Sequence, residues 1–381
     1  MGDRVVMILS NDCVSDPRVE KEAQVIVESG RDVTILAWDR AGAAPAREER
    51  RGFVIERLGP QAPYGAGIKS LPLFRAFWEN AAARAVEMSP DVIHCHDLDT
   101  APVGMRVVRE CPGTKFVLDL HELYRDSSAV PQKGLVGAIA RAYVDNLERR
   151  AMKVAALVFV APPGAFDRYV RLAGDRAILI ENAPDATMFR PRQTPRPDRP
   201  FTVGYIGSKR YLPELLMLIE IIKRNPDMNG LLAGGGVAAE AVAQAAAGVD
   251  RIKTVGRVLY EDIPSYYPEI DVSWVLYDAY LGNAQIAFPV KVMESMACGI
   301  PMIVYGKTWM GDFVEKNGVG FAVDPENAET EGEAALRRLI AEPGLGEAMG
   351  KRGRAIVEER LSWQVVSDKI VDAYATLAGR S

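Results

Sequence analysis

Short runs of β-branched and other apolar residues alternate with helix-length stretches along this 381-residue chain, and the alternation begins afresh after a proline-rich segment. Strand and helix repeated in this way bury their apolar faces as a parallel sheet wrapped by helices. The first series predicts strands over 4–10, 33–38, 53–58, 91–95, 115–120, 156–160 and 177–181. Helices are predicted over 16–29, 70–88, from about 99, and over 133–152; the first is opened by Asp16 and Pro17 and closed by Gly30. Residues 184–200 hold five prolines (184, 191, 195, 197 and 200), which suits an extended linker. The second series predicts strands over 201–207, 228–236, 251–256, 271–276, 300–305 and 319–323, separated by helices and followed by two more. The expected fold is α/β: two tandem Rossmann-like domains, over 1–190 and 200–362, facing a central cleft at the carboxyl ends of their sheets.

Composition removes several function classes. With 46 Lys+Arg against 51 Asp+Glu the formal charge is −5, so no nucleic-acid partner is expected. The apolar run at the N-terminus is too short for a signal peptide, and no stretch approaches the roughly 20 apolar residues that span a bilayer. Cys13, Cys95, Cys111 and Cys298 are widely spaced, which fits a reducing cytoplasm and no structural zinc.

The segment Phe288-Pro-Val-Lys-Val-Met-Glu-Ser-Met-Ala-Cys-Gly-Ile-Pro301 is the most informative. Pro289 suits a first helical turn and Gly299 a helix end, and Lys291 and Glu294 share a face at i, i+3. A lysine in the first turn opposes the positive end of the helix dipole, which suits a bound anion. Glu294, one turn on, can accept two hydrogen bonds from a vicinal diol such as a ribose; the plainer reading is a surface Lys–Glu pair.

These residues resemble the nucleotide-sugar motif of the retaining GT-B glycosyltransferases, the bacterial and archaeal group 1 enzymes. The resemblance runs from about residue 5 to 377 and implies a sugar transfer from a nucleotide diphosphate donor, such as a UDP- or GDP-sugar, to a glycan or lipid-linked hydroxyl acceptor. Anomeric configuration would be retained, and no further cofactor is implied. Glu294 maps onto the family's ribose-binding Glu, whereas the first Glu of the family's pair is Ile286 here.

Val203-Gly-Tyr-Ile-Gly-Ser-Lys-Arg210 matches the family's diphosphate loop, with Gly207 allowing close backbone approach and Ser208 at the usual Arg position. Diphosphate contact then falls to Lys209 or Arg210, each of which also suits a solvated turn. Gly234-Gly235-Gly236 is a candidate close-approach loop, and Val255-Gly256-Arg257-Val258 resembles the base-reading segment. In the first half, His121 in Asp119-Leu-His121-Glu122 matches the family histidine that contacts the transferred sugar. Arg18, Asp97 and Glu122 are placed on the acceptor or sugar side, with Asp16 a helix cap.

The expected catalytic set is therefore His121, Lys291 and Arg210, and the donor set Gly207, Ser208, Lys209, Arg257, Val258 and Glu294. No metal is expected: strand alternation puts His94 and His96 on one face and Cys95 on the other, and Asp99 of Asp97-x-Asp99 suits a helix cap. Asn182-Ala-Pro-Asp185 with Phe189-x-Pro191 resembles the family's interdomain turn. Ser362-Trp363 resembles the start of its last helix, which returns to the first domain over 363–381.

A nucleotide-sugar epimerase of the same fold would want more acid–base groups than three clustered histidines supply. A non-catalytic nucleotide-sugar binding protein is favoured by Ile286 and Ser208. An NAD dehydrogenase lacks its G-x-G-x-x-G loop, since strand one leads into Ser10-Asn-Asp-Cys-Val. Basic, apolar stretches at 67–78 and 133–153 have two readings, core-packing helices or peripheral contact with anionic lipid.

Overall fold

In a computed structural model the described residues are 2–63, 71–127, 130–192 and 198–378. The linker prolines 195 and 197 and the basic residue Lys69 lie outside them. The chain divides into two compact units, residues 1–181 with 367–381, and residues 182–366. The division falls at 181/182 and 366/367, so the described prolines 184 and 191 belong to the second unit.

The first unit holds β1 (Arg4–Leu9), α1 (Pro17–Glu28), β2 (Asp32–Trp38), β3 (Arg47–Arg50), β4 (Phe53–Leu58), α2 (Leu71–Met88), β5 (Val92–His96) and α3 (Ala101–Glu110). It continues with β6 (Lys115–Leu120), α4 (Gly134–Val154), β7 (Leu157–Val160), α5 (Phe166–Ala173) and β8 (Ala177–Leu179). The strand order is β3-β4-β2-β1-β5-β6-β7-β8, parallel throughout except for β3 against β4. Central strands such as β1 and β6 are buried over nearly their full length, the condition that makes near-continuous apolar runs favourable.

Periodicity did not predict β3, because Arg-Glu-Glu-Arg carries no apolar residue. It is an edge strand held by charge, with Arg47 on Glu56 and Arg57 on Glu48, each at 2.9 Å. Asp16 caps α1 by accepting from the Val19 N–H. Asp99, expected to cap α3, lies instead in a buried 3-10 turn at Leu98–Thr100.

The second unit contains β9 (Phe201–Ile206), α6 (Leu212–Arg224), β10 (Met228–Ala233), α7 (Ala239–Ala246), β11 (Ile252–Val255) and β12 (Val272–Val275). After these come α8 (Gly282–Ile286), α9 (Val290–Ala297), β13 (Met302–Tyr305), α10 (Trp309–Asn317), β14 (Gly320–Val323), α11 (Ala328–Ala341) and α12 (Pro343–Ile356). All six strands are parallel in the order β11-β10-β9-β12-β13-β14. The helix expected before β12 is replaced by two short 3-10 turns, Tyr260–Ser265 and Tyr267–Glu269, because Pro264 and Pro268 interrupt a helical ladder. Three helices follow β14 where two were expected: Pro343 starts a new one directly after α11.

The last helix, α13 (Trp363–Ala378), belongs to the first unit from Ser367 onward. Its Tyr374 hydroxyl lies 2.8 Å from His94 Nδ1, and Lys369 pairs with Glu181 at 3.0 Å. Apart from the β3–β4 hairpin, the chain reverses direction of growth at one place in each sheet, between β1 and β5 and between β9 and β12. Ligands bind outside the carboxyl ends of strands at such reversals.

Candidate functional site

In the second unit β9 delivers Gly207 at φ +128°, a conformation that favours glycine, and a Cβ there would stand 3.0 Å from Lys291 Nζ. The glycine triplet after β10 makes the matching approach: a Cβ on Gly234, at φ +129°, would lie 2.0 Å from the Gly207 carbonyl oxygen. Gly236 is equally closed, at 2.4 Å from the Lys209 carbonyl. These missing side chains wall a cavity of about 300 Å³ lined by Gly207, Ser208, the triplet, Arg257 and Val258. Gly207, Ser208, Arg257 and Val258, expected on the donor side, thus line one cavity, and Arg257 is exposed.

Lys291, in the first turn of α9, is 9% exposed and sits 4.1 Å from the ring centre of Tyr205 and 5.3 Å from that of Tyr277. Burial lowers its pKa to about 8, against the pull of Glu294 and with Arg210 adding to the depression. Aromatic faces shelter a cation at modest strength, and an anion arriving beside it would gain from the low dielectric. The tyrosines carry no motif of their own in the sequence, so their part was missed. Glu294 is also buried, and its Oε2 accepts from the Tyr267 hydroxyl at 3.1 Å. The pair is therefore an internal feature of the unit and not a surface ion pair.

Lys209 requires a correction. Its side chain turns inward, 2% exposed, and Nζ donates to the Gly234 and Val255 carbonyls, each at 2.7 Å. It ties the glycine loop to the end of β11 and does not offer an open ammonium to a diphosphate. Arg210 is the exposed cation of the pair, with Nε 3.3 Å from the Ser208 hydroxyl.

In the first unit the three histidines converge. His94 and His96 stack at 4.4 Å on one face of β5, as alternation predicts. Asp119, fully buried at the end of β6, receives His96 Nδ1 at 3.0 Å and His121 Nε2 at 2.7 Å on the same oxygen, Oδ2. Asp97, at φ +62°, accepts from the His121 backbone N–H at 3.0 Å and faces its Nδ1 at 3.4 Å. Burial opposes charge on His121, but Asp97 and Asp119 outweigh it and raise the pKa to about 10. His121 is thus an imidazolium held on two sides and left 22% exposed. Glu122 beside it is half-buried, and burial raises its pKa.

Arg18 also departs from expectation. Its guanidinium grips Asp119 at 2.7 and 3.1 Å, reaches the Ile180 carbonyl at 2.9 Å and pairs with Glu22 at 3.0 Å. At 6% exposure these contacts replace the ligand role assigned to it. Arg18 and Glu22 stand at i, i+4, a spacing legible in the sequence but unused there. Glu22, His94, His96 and Asp119 bring ligand-type atoms within 4.8 Å of one another. Arg18 supplies the positive charge those two carboxylates call for, so the set reads as an ion network better than as a metal cage.

Comparison with known proteins bears on the chain as a whole. Residues 16–183 match the family described as "Glycosyl transferase 4-like domain", and residues 189–356 match "Glycosyl transferases group 1". A D-inositol 3-phosphate glycosyltransferase of Rhodococcus jostii is 26% identical over 233 residues, 55% of this chain and 50% of that one. The chain's matches span half or less of the length of the curated relatives. Among solved structures, sucrose-phosphate synthase from Thermosynechococcus elongatus superposes with a TM-score of 0.80 over 99% of this chain and all of that one, at 20% identity. HepE of Anabaena, in complex with UDP and glucose, gives 0.71 over 98% of this chain and all of that one, at 16% identity. With both halves matched by glycosyltransferase families and both sheets superposing on such enzymes, the chain belongs to the group 1 glycosyltransferases of GT-B fold.

Proposed function

We propose that this chain moves a sugar from a nucleoside diphosphate donor to a hydroxyl acceptor with retention at the anomeric carbon, in the assembly of a glycan or glycolipid. The observation that carries the reading is the glycine-walled cavity beside Lys291, where backbone approaches a ligand without side chains and a sheltered ammonium stands 3.0 Å from a hypothetical Gly207 Cβ. The 207–210 and 234–236 loops and Lys291, with Arg210 outside, stabilise charge as it builds on the leaving diphosphate. Arg257 and Val258 border the nucleoside, and Glu294 is assigned to the ribose.

In the first unit the His121 imidazolium donates to an oxygen of the transferred sugar. No side chain is assigned as nucleophile, so the acceptor oxygen bonds to the anomeric carbon on the face the diphosphate leaves, and its proton passes to a phosphate oxygen. Four free cysteines accord with a reducing, cytoplasmic setting, and among the described residues no helix is long and apolar enough to cross a membrane.

Thermal shift and nucleotide release across UDP-, GDP- and ADP-sugars test the donor, and product NMR tests retention. Lys291→Ala and Glu294→Ala are expected to weaken donor binding and turnover; normal values in both would sink the reading. Ile286 in place of an acidic residue favours a second reading, a nucleotide-sugar binding protein without transfer, which a thermal shift without release would select.

A further inference from the structure

Helix α4 is oriented opposite to an ordinary surface helix along half its length. Its inward face is carried by Val144, Leu147, Ala151 and Met152. Its outward face begins with Leu135, Ile139 and Tyr143, which are 78%, 62% and 56% exposed, with Val136 beside them at 57%. Leu135, Ile139 and Tyr143 follow at i, i+4 and i+8, so they form one stripe over two turns. Continued along the same face, the stripe ends in exposed Arg149, Arg150 and Lys153. The nearby acids do not neutralise these cations: Asp145 is taken by Arg125 at 3.1 Å, and Glu148 by Arg168.

We infer that this outer face of α4 docks on an anionic lipid surface. The helix is roughly 30 Å long, apolar at its N-terminal end and cationic at the other. A tilted approach puts the apolar end at the acyl boundary and the arginines at the headgroups, so each half meets its complement. A second copy of the chain fits less well. Antiparallel pairing of two such helices would set arginines on leucine and isoleucine, and parallel pairing would set arginines on arginines. Because α4 follows the loop that starts at His121, docking brings the lipid surface to the carboxyl end of the first sheet. A lipid-linked hydroxyl would reach that end without leaving its membrane.

The test is co-sedimentation of the full chain with phosphatidylcholine vesicles made with and without phosphatidylglycerol. Binding is expected only with phosphatidylglycerol and should weaken as salt rises. Leu135→Ser/Ile139→Ser/Tyr143→Ser is expected to lower partitioning roughly a hundredfold, and Arg149→Gln/Arg150→Gln roughly tenfold. These residues lie outside the donor cavity, so nucleotide binding should be unchanged, and an unchanged urea unfolding transition of the first unit reports folding. If the triple variant fails to fold, Ile139→Ser and the arginine pair carry the test. Absence of wild-type binding to phosphatidylglycerol vesicles, or binding by the variants equal to wild type, overturns the inference. Self-association in the ultracentrifuge that the stripe variants abolish also overturns it, in favour of a second copy. Vesicle binding is read without donor, so its failure is distinct from failure of the transferase reading.

Discussion

The polar centre of the first unit and the loop cluster of the second are built on opposite principles. Around Asp119 the chain concentrates charge, and nearly every group is bound by another: Arg18 to Asp119 and Glu22, His121 to Asp97 and Asp119. Around Gly207 it removes side chains, and shape comes from positive φ and backbone approaches that a Cβ would block. The first arrangement fixes one side chain in one charge state. The second leaves an opening whose donors belong to the main chain, with Lys291 beside it. Losing a charge should therefore damage the first unit most, and gaining a methyl group the second.

The largest effect is expected from Arg18→Met, which leaves buried Glu22 without its cation and Asp119 with His121 as its remaining one. The cost is about 3–5 kcal/mol in urea unfolding of the first unit. A value near that of an exposed pair would show that Asp119 finds another partner and would erase the contrast. Next is Gly234→Ala, at about 3 kcal/mol, combining φ strain with a clash at 2.0 Å. Nucleotide titration of that variant should show lost binding, whereas Arg18→Met should leave binding by the second unit intact.

Lys209→Met sharpens the comparison, because it strips the ammonium that joins the two loops while keeping the stem. Two carbonyls lose their donor, at a cost of about 2 kcal/mol. The functional reading is a raised KM for donor with kcat nearly unchanged; an equal fall in both would make Lys209 a direct participant. The smallest effect concerns pH. Lys291 titrates at about 8 in the free protein, below its ordinary 10.5, because burial disfavours its charge. A bound diphosphate favours the charged form, so nucleotide affinity should fall above pH 8 by up to about tenfold per pH unit until the lysine of the complex also deprotonates. In Lys291→Met the profile should be flat across that window. Stability runs the other way: the unfolded chain holds this proton between pH 8 and 10.5, so Lys291 makes folding more favourable as pH rises through that range.

Much of this was legible in the residues. Strand and helix alternation gave both sheets, since parallel strands need continuous apolar runs and their crossovers need helices. Pro289 and Gly299 bracketed helix α9, and His94 and His96 fell on one face as period two requires. Strand β3 was invisible because its stability comes from pairing and from arginines on glutamates, with no apolar period to detect. Helix α11 was not separated from α12 because they follow one another directly and Pro343 marks the restart.

The sequence by itself determined fold class, most of the succession of strands and helices, and which loops carry glycine, because those follow from short-range sterics and hydrophobic period. Only the tertiary structure decided what the charged residues do. Lys209 and Arg18 carry the same formal charge as Arg210, yet each is turned inward onto partners 25 and 101 residues away. A cation's role depends on which carbonyls and carboxylates the folded chain brings within hydrogen-bond reach, and that is set by long-range packing, which no local pattern records.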